Sequence, residues 1–255
     1  MSELKTQDGV LEAKTQSPKK AKKKEKKKYD ILFKKNRKGR RVSGTLNFLR
    51  IFVAPFVYLI SPFRYYGNRK VKEGAGVYVC NHYRAVDPIY PLWTTWEGIH
   101  FLAKKSVLSM PFLKHMAKSL RLIAVNRDGT DVRATMDALK CLKNGEKISI
   151  FPEGTRNKDK KSDEMLPFKG GAAMMAIKAK APIIPMAIYK RPRLFRMTHI
   201  LIGEPFEFTE YYGVKMNEQL VAEADQKLRD KIEGLRKNHA EFLAAKKNKK
   251  KKNKA

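Results

Sequence analysis

Short β-rich segments alternate with helical segments through the middle of this 255-residue chain. The β-rich segments lie at 77–80, 148–151 and 183–188, and segments with apolar residues at helical spacing lie at 131–143 and 171–180. Strands that alternate with helices are typical of α/β folds, because helical crossovers join parallel strands. The alternation therefore predicts an α/β fold, with a mainly parallel or mixed sheet flanked by helices.

The chain has a large excess of positive charge, with 56 Lys and Arg against 25 Asp and Glu and a formal net charge of +31. Residues 1–28 hold ten Lys and four acids, and residues 246–255 hold seven Lys and no acid. Both segments have too little apolar content to fold, so we expect disordered Lys-rich tails. Such a charge predicts an anionic partner, whether nucleic acid, lipid headgroups or a phosphorylated substrate. The role of the tails can be either to keep the protein soluble or to bind anionic lipid, and the sequence does not distinguish the two.

An apolar segment follows the first basic tail, but it is too short to cross a bilayer. Its uncharged run, Ile51–Ile60, has ten residues, whereas a crossing needs about 20. Basic residues flank it on both sides, which favours a helix in the plane of the membrane interface. We therefore expect residues 29–64 to be a membrane-interface segment, and the protein to lie peripherally on the cytoplasmic face of the cell membrane. A buried core helix of similar length is the alternative.

His82 and Asp87 directly follow the first β-rich segment. Five residues on a regular helix separate two side chains by about 140°, but a turn before the helix would fold Asp87 back onto the imidazole. A carboxylate on one ring nitrogen fixes the tautomer and leaves the other nitrogen as a base. Because Pro88 suits the first helical position, Asp87 is also a candidate helix N-cap.

The second β-rich segment ends in Phe-Pro-Glu-Gly-Thr-Arg, residues 151–156. A Gly-Thr turn exposes backbone N–H groups, and the Arg156 guanidinium matches the geometry of phosphate oxygens. The turn therefore predicts a phosphate site. The structural alternatives are a salt bridge between Arg156 and Glu153 and a plain tight turn at Gly154.

Four sequence blocks, taken together, resemble one enzyme family. In chain order they are Asn-His-x4-Asp (81–87), Val-Asn-Arg (125–127), Phe-Pro-Glu-Gly-Thr-Arg (151–156) and Ala-Pro-Ile-Ile-Pro (181–185). Their order and spacing resemble the PlsC-type 1-acylglycerol-3-phosphate O-acyltransferases. The resemblance implies the glycerolipid acyltransferase fold, and we assign residues 65–215 to a catalytic domain. An amphipathic helix over 216–245 is predicted from its own apolar spacing.

The resemblance also implies a role for each matched residue. His82 would be the general base, oriented by Asp87, for transfer of an acyl group from an acyl carrier protein or CoA thioester to lysophosphatidate. The implied phosphate site consists of Lys104, Arg127, Glu153, Gly154, Thr155 and Arg156, with Glu153 supporting the turn more than touching substrate. Pro182, Ile184 and Pro185 would line the acyl pocket, and a buried core strand is the alternative for them.

Other classes of function have less support in the sequence. Cys80 and Cys141 have no paired metal spacing, so we expect no metal and no cofactor beyond the thioester co-substrate. An acyl-cysteine at Cys80 is a minor alternative to direct transfer. The charge alone would suit a nucleic-acid-binding protein, but without a recognisable binding module we expect no specific nucleic acid. An acyltransferase that uses glycerol 3-phosphate or another lysolipid is the nearer alternative.

Overall fold

The computed structural model of the protein describes residues 44–69, 73–108, 120–126, 131–159, 161–169 and 171–252. These residues form a seven-stranded sheet with helices on both faces. The strands are β1 (Phe63–Gly67), β2 (Gly76–Cys80), β3 (Ile99–Lys104), β4 (Leu122–Val125), β5 (Lys147–Ile150), β6 (Ile183–Ile188) and β7 (Thr198–Ile202). The helices are α1 (Gly44–Phe48), α2 (Ala54–Ile60), α3 (Ile89–Leu92), α4 (Lys105–Leu108), α5 (Val132–Lys143), α6 (Ala172–Ala179) and α7 (Glu218–Lys252).

The strand order is β1-β7-β6-β2-β5-β3-β4. The five strands β2, β3, β4, β5 and β6 pair with one another in parallel. Strand β7 is antiparallel to β6, and β1 is parallel to β7. The predicted mixed, mainly parallel sheet is therefore confirmed. Because five strands point the same way, their carboxyl ends share one edge of the sheet, which is where α/β proteins build their sites. We call it the catalytic edge.

The central strand β2 shows how the sheet is buried on both faces. Val77 and Val79 contact the core under α5, α6 and α7, whereas Tyr78 and Cys80 contact the core under α1 and α3. All four side chains are fully buried. A parallel strand covered on both faces reads as a continuous apolar run, which is why β2 was visible in the sequence.

Two helices differ from their sequence-based descriptions. In α5, two of the apolar residues at helical spacing, Val132 and Met136, are exposed, whereas a third, Leu142, is buried together with Ala134, Ala138 and Cys141. Small residues let α5 approach the sheet closely, and apolar spacing alone does not distinguish that face. The last helix was predicted to end at residue 245 but continues to Lys252. Lys is a good helix former, so residues 246–252 are helical rather than a tail; residues 1–28 and 253–255 lie outside the described residues.

A buried arginine joins the N-terminal helices to the rest of the protein. A π-helical turn, Leu49–Val53, connects α1 to α2, and within it Arg50 is 2% exposed. The guanidinium donates to the carbonyls of Leu92 (2.9 Å) and Glu97 (2.8 Å) and to Asn47 Oδ1 (2.6 Å). Burial lowers the pKa of Arg50 to about 10. The charge that interrupts the apolar run is therefore an internal tie between α1–α2 and the segment after α3.

The same helices leave a broad apolar surface exposed. Leu46 and Ala54 pack into the core, but the opposite side presents exposed side chains: Phe48, Ile51, Phe52, Phe56, Leu59 and Ile60. A buried core helix, the alternative considered for this segment, does not fit that exposure. Among the described helices, none is long and apolar enough to pass through a bilayer.

Candidate active site

His82 and Asp87 meet at the catalytic edge, directly after β2. His82 Nδ1 lies 2.8 Å from Asp87 Oδ2, and the carboxylate is completely buried while the imidazole is 14% exposed. Since an ionised carboxylate only accepts hydrogen bonds, the ring donates through Nδ1–H, and Nε2 carries the free lone pair. The pair therefore has the geometry of an oriented general base.

The turn from residue 82 to residue 87 brings the carboxylate back to the ring. Asp87 Oδ2 also accepts the backbone N–H groups of Tyr83 and Arg84, each at 2.7 Å. The sequence also made Asp87 a candidate N-cap of the following helix, but α3 begins only at Ile89 and its N-cap residue is Pro88. Because its carboxylate bonds upstream amides, Asp87 folds the turn and orients the base at once.

The end of β5 supports His82 from a second direction. The Phe151 ring stacks on the imidazole with centroids 4.1 Å apart and an interplanar angle of 22°. Glu153 is buried, and its two carboxylate oxygens accept the N–H groups of His82 (2.9 Å) and Leu166 (3.2 Å). The structure thus places Glu153 behind the base, bonded to backbone amides, and not in a salt bridge with Arg156. The stacking role of Phe151 was missed, because sequence spacing does not show which ring packs on which.

The turn after Glu153 is the most open part of the motif. Gly154 has φ +66°, and a Cβ there would lie 2.9 Å from Lys169 Cδ, so both backbone conformation and space favour glycine. Thr155 and Arg156 follow it and are exposed. An anion at this turn can therefore approach the exposed Arg156 side chain.

The remaining predicted phosphate ligands belong to neighbouring strands. Lys104 is exposed at the carboxyl end of β3, which pairs with β5. Arg127, predicted from the second sequence block, lies outside the described residues. Because β2, β5 and β3 are adjacent and parallel, His82, the Gly154–Arg156 turn and Lys104 occupy successive positions along the catalytic edge.

A network that the sequence did not reveal secures the loop after the turn. Asn157 donates its N–H to the His82 carbonyl at 2.8 Å, and Arg191 donates to the Asn157 carbonyl at 3.0 Å. The Arg191 guanidinium also lies over the Tyr83 ring, 4.8 Å from its centroid. Residues near 157, 191 and 83 are distant in sequence, and no local pattern links them. Together they connect the loop, the base and the carboxyl end of β6.

Burial bears on two sequence-based interpretations of residues near the site. Cys80 is fully buried, and burial raises the pKa of its thiol well above the usual range, which disfavours the thiolate that an acyl-cysteine would need. Ile184 and Pro185 are buried within β6 and Pro182 is partly buried just before it. That is the position of a core strand, the alternative considered for the acyl-pocket residues.

A second polar cluster lies at the opposite edge of the sheet. His100 Nε2 is 2.7 Å from Glu146 Oε2 and 2.9 Å from Arg121 Nη1, and Cys141 Sγ is close by. Ligand atoms of His100, Cys141 and Glu146 lie within 4.8 Å of one another. The adjacent guanidinium already supplies positive charge to the carboxylate, so the cluster has the composition of a buried ion network.

A pH prediction follows from the burial of Glu153, which raises the pKa of its carboxyl from 4.5 to about 7. Glu153 therefore binds its proton more tightly in the folded state than in the unfolded state. This preference stabilises the fold fully below pH 4.5, and the stabilisation is lost as the pH rises through about 7. We expect the free energy of unfolding of the wild type to fall between pH 5 and 8 by up to about 3 kcal/mol more than that of Glu153→Gln. Urea unfolding of both proteins across this pH range measures the difference.

The matched control is Glu241→Gln, which changes an exposed carboxyl on α7. It should reproduce the wild-type pH dependence. Parallel curves for the wild type and Glu153→Gln would contradict the assignment of a perturbed carboxyl at residue 153.

Comparison with known proteins decides the family. The model of the family described as Acyltransferase matches residues 62–189, half of the chain. The chain belongs to the acyltransferase family. The matched range runs from the start of β1 to just past the end of β6, so this acyltransferase carries His82, Asp87 and the 151–156 motif inside the family region. The prediction of the family from four sequence blocks is confirmed, and so is the class of enzyme.

Individual relatives show which acyltransferases this chain is similar to. A 1-acyl-sn-glycerol-3-phosphate acyltransferase from Bacillus subtilis is 30% identical over 169 residues, 62% of this chain and 80% of that protein. One from Borreliella burgdorferi is 32% identical over 132 residues, 51% of this chain and 52% of that protein. The acyltransferase thus spans about half the length of some of its curated relatives. The crystal structure of the 1-acyl-sn-glycerophosphate acyltransferase PlsC from Thermotoga maritima matches 74% of this chain and 79% of that one, with a TM-score of 0.57 and 25% identity.

Proposed function

We propose that this protein transfers an acyl group from an acyl thioester to the sn-2 hydroxyl of 1-acylglycerol 3-phosphate, which yields phosphatidic acid. The observation that carries the proposal is the 2.8 Å contact between His82 Nδ1 and the buried Asp87 carboxylate, at an edge where cationic side chains emerge. The names of the relatives, 1-acyl-sn-glycerol-3-phosphate acyltransferases, support the choice of acceptor.

The proposed reaction needs a base but no enzyme nucleophile. His82 Nε2 takes the proton from the acceptor hydroxyl as the oxygen attacks the thioester carbonyl, and Asp87 stabilises the imidazolium that forms. The tetrahedral intermediate then collapses, the carbon–sulfur bond breaks, and the imidazolium returns the proton to the departing thiolate. The products are an ester and a free thiol. The thioester supplies the activated acyl group, so the proposed chemistry uses no bound cofactor.

The acceptor phosphate orients the hydroxyl in this proposal. Arg156 offers a guanidinium and the Gly154–Thr155 turn offers backbone N–H groups, while Lys104 adds charge from the end of β3. Arg127 is included by its sequence position alone. Fixing the phosphate in this way converts the proton transfer and attack into steps within one complex, which accounts for much of the rate gain of such enzymes.

Membrane association completes the proposal. The exposed apolar surface of α1–α2 and the net charge of +31 suit the interface of an anionic bilayer. Because the acceptor is itself a lipid, we place the protein on the cytoplasmic face of the membrane, where it takes an acyl group from acyl carrier protein or CoA.

A thioester-consumption assay tests the activity. Purified protein of residues 1–255 is incubated with lysophosphatidate and either acyl-CoA or acyl carrier protein thioester, and free thiol and phosphatidic acid are measured together. We expect equal amounts of both products with at least one donor. Turnover with glycerol 3-phosphate or another lysolipid and none with lysophosphatidate would overturn the choice of acceptor, and release of thiol without ester would overturn acyl transfer.

The phosphate site gives a separate prediction, for Arg156→Ala. Because the guanidinium binds the acceptor before and during the reaction, its loss is expected to raise the KM for lysophosphatidate by about tenfold or more, since a charged hydrogen bond contributes about 1.5–3 kcal/mol. The KM for the thioester should stay within about twofold. Lys158→Ala, two residues away and also exposed, is the matched control. An unchanged KM for lysophosphatidate would remove Arg156 from the phosphate site.

A further inference from the structure

The connection between β6 and β7 exposes three large apolar side chains. Leu194, Phe195 and Met197 are 54%, 75% and 46% exposed, although they lie in a nine-residue loop between two buried strands. Phe195 also has φ +57°, a conformation that a bulky residue adopts only when its surroundings impose it. The fold therefore holds this apolar tip in solvent.

The tip adjoins the apolar surface of the N-terminal helices. The Phe195 N–H donates to the carbonyl of Ile60 at 2.7 Å, and the Thr198 N–H donates to the carbonyl of Pro62 at 2.7 Å. Ile60 and Leu59, at the end of α2, are themselves exposed. The loop and α1–α2 thus form one continuous apolar surface from two segments far apart in sequence. Contiguous exposed apolar surface marks an interaction site.

The charges around the tip identify the kind of partner. Arg193 and Arg196 lie on either side of Leu194 and Phe195, and Lys190 precedes them; all three are exposed. Apolar side chains surrounded by cations match an anionic lipid surface, in which the rings enter the acyl boundary and the guanidinium groups remain among the headgroups. An acidic protein would match the charges, but it would not account for continuity with the helical surface.

The loop also starts beside the base. Since β6 is parallel to β2, its carboxyl end lies at the catalytic edge, and the Asn81 side chain accepts the Ile188 N–H at 2.7 Å and donates to its carbonyl at 3.1 Å. His82 therefore follows a residue that is hydrogen-bonded to the strand from which the loop emerges.

We propose that the β6–β7 loop is a second membrane-inserting element, which acts with α1–α2 to set the catalytic edge against an anionic bilayer. Two contacts separated along the chain fix the orientation of the protein on the surface, whereas a single helix would leave it free to tilt. In that orientation a lipid acceptor reaches His82 without leaving the membrane surface. The inference rests on the membrane association in the proposed function.

An environment-sensitive dye reports on the loop directly. Cys80 and Cys141 are the two cysteines of the chain and both are buried, so Phe195→Cys creates an accessible thiol for bimane labelling. We expect the emission to shift to the blue with vesicles of phosphatidylglycerol and phosphatidylcholine. Val214→Cys is the control: Val214 is also exposed but follows β7 at the opposite edge, and its label should not shift.

A second variant measures the contribution of the loop to binding. Leu194→Ser/Phe195→Ser should lower the partition coefficient in vesicle sedimentation by about tenfold or more, because it removes two inserted apolar side chains. Val214→Ser should bind as the wild type does. With micellar lysophosphatidate the loop variant should keep kcat within about twofold. His82→Ala should keep vesicle binding and lose turnover, so failures of the loop and of the chemistry are distinguishable.

Three results would overturn the inference. The first is a bimane emission at residue 195 that does not shift on vesicles to which the wild type binds. Such a result would mean that α1–α2 binds the membrane without the loop. The second is a blue shift with acyl carrier protein but not with vesicles. The third is a loop variant that loses kcat in micelles, because the loop would then belong to the catalytic site.

Discussion

Replacing His82 by alanine is expected to lower kcat for acyl transfer to lysophosphatidate by about 10²–10⁴-fold, the usual contribution of a general base. The reason is geometric: Asp87 and Phe151 hold the ring so that Nε2 carries the free lone pair at the catalytic edge. The KM for the acceptor should change little, because in the proposed function the acceptor phosphate binds to Arg156 and Lys104 and not to the imidazole. Steady-state kinetics with saturating thioester measures both constants.

Two controls separate lost chemistry from lost structure. His82→Ala should unfold within a few degrees of the wild-type Tm, since the imidazole is not fully buried. His239→Ala, on α7, should retain turnover. Wild-type kcat in His82→Ala would end the assignment of the base.

Asp87→Asn is expected to lower kcat by about 10- to 10²-fold while the protein still folds. The amide oxygen can replace Oδ2 as acceptor for the N–H groups of Tyr83 and Arg84, but the charge that stabilises the imidazolium is lost. A charge-assisted hydrogen bond contributes about 1.5–3 kcal/mol, and each 1.36 kcal/mol corresponds to tenfold in rate. Parallel measurement of kcat and of the free energy of unfolding tests both parts.

The comparison with Asp87→Ala sharpens the test. Alanine removes the acceptor as well as the charge, so two backbone N–H groups lose their partner at a cost of about 1–3 kcal/mol each in stability. Asp137→Asn, on the exposed side of α5, is the matched control and should alter neither quantity. Full activity in Asp87→Asn would contradict an orienting carboxylate.

The fold was predictable where strands are buried on both faces. The segments now seen as β2, β5 and β6 lie at the centre of the sheet and are buried at every position, and all three were predicted. The four missed strands flank them: β3 carries His100 and Lys104 among its apolar residues, and β4 has only four residues. Strands β1 and β7 pair across more than 130 residues. Polar or charged residues interrupt the apolar patterns of β1, β3 and β7, so periodicity alone did not mark these segments as strands.

The site was predictable where its residues are close in sequence. His82 and Asp87 share one turn, and Gly154 to Arg156 share another, so spacing and chemistry sufficed to propose them. Phe151 and Arg191 act through contacts that depend on how strands are ordered in the sheet. Glu153 was visible, but its place behind the base depends on the pairing of β2 with β5.

The tie made by Arg50 has a practical consequence for anyone who prepares this enzyme without detergent. Truncating the chain before β1 would remove the donor that satisfies the carbonyls of Leu92 and Glu97, and it would uncover the core cluster into which Leu46 packs. Polar substitutions at Phe56 and Leu59, which point into solvent, avoid both losses. Solubility is therefore better engineered residue by residue than by deletion.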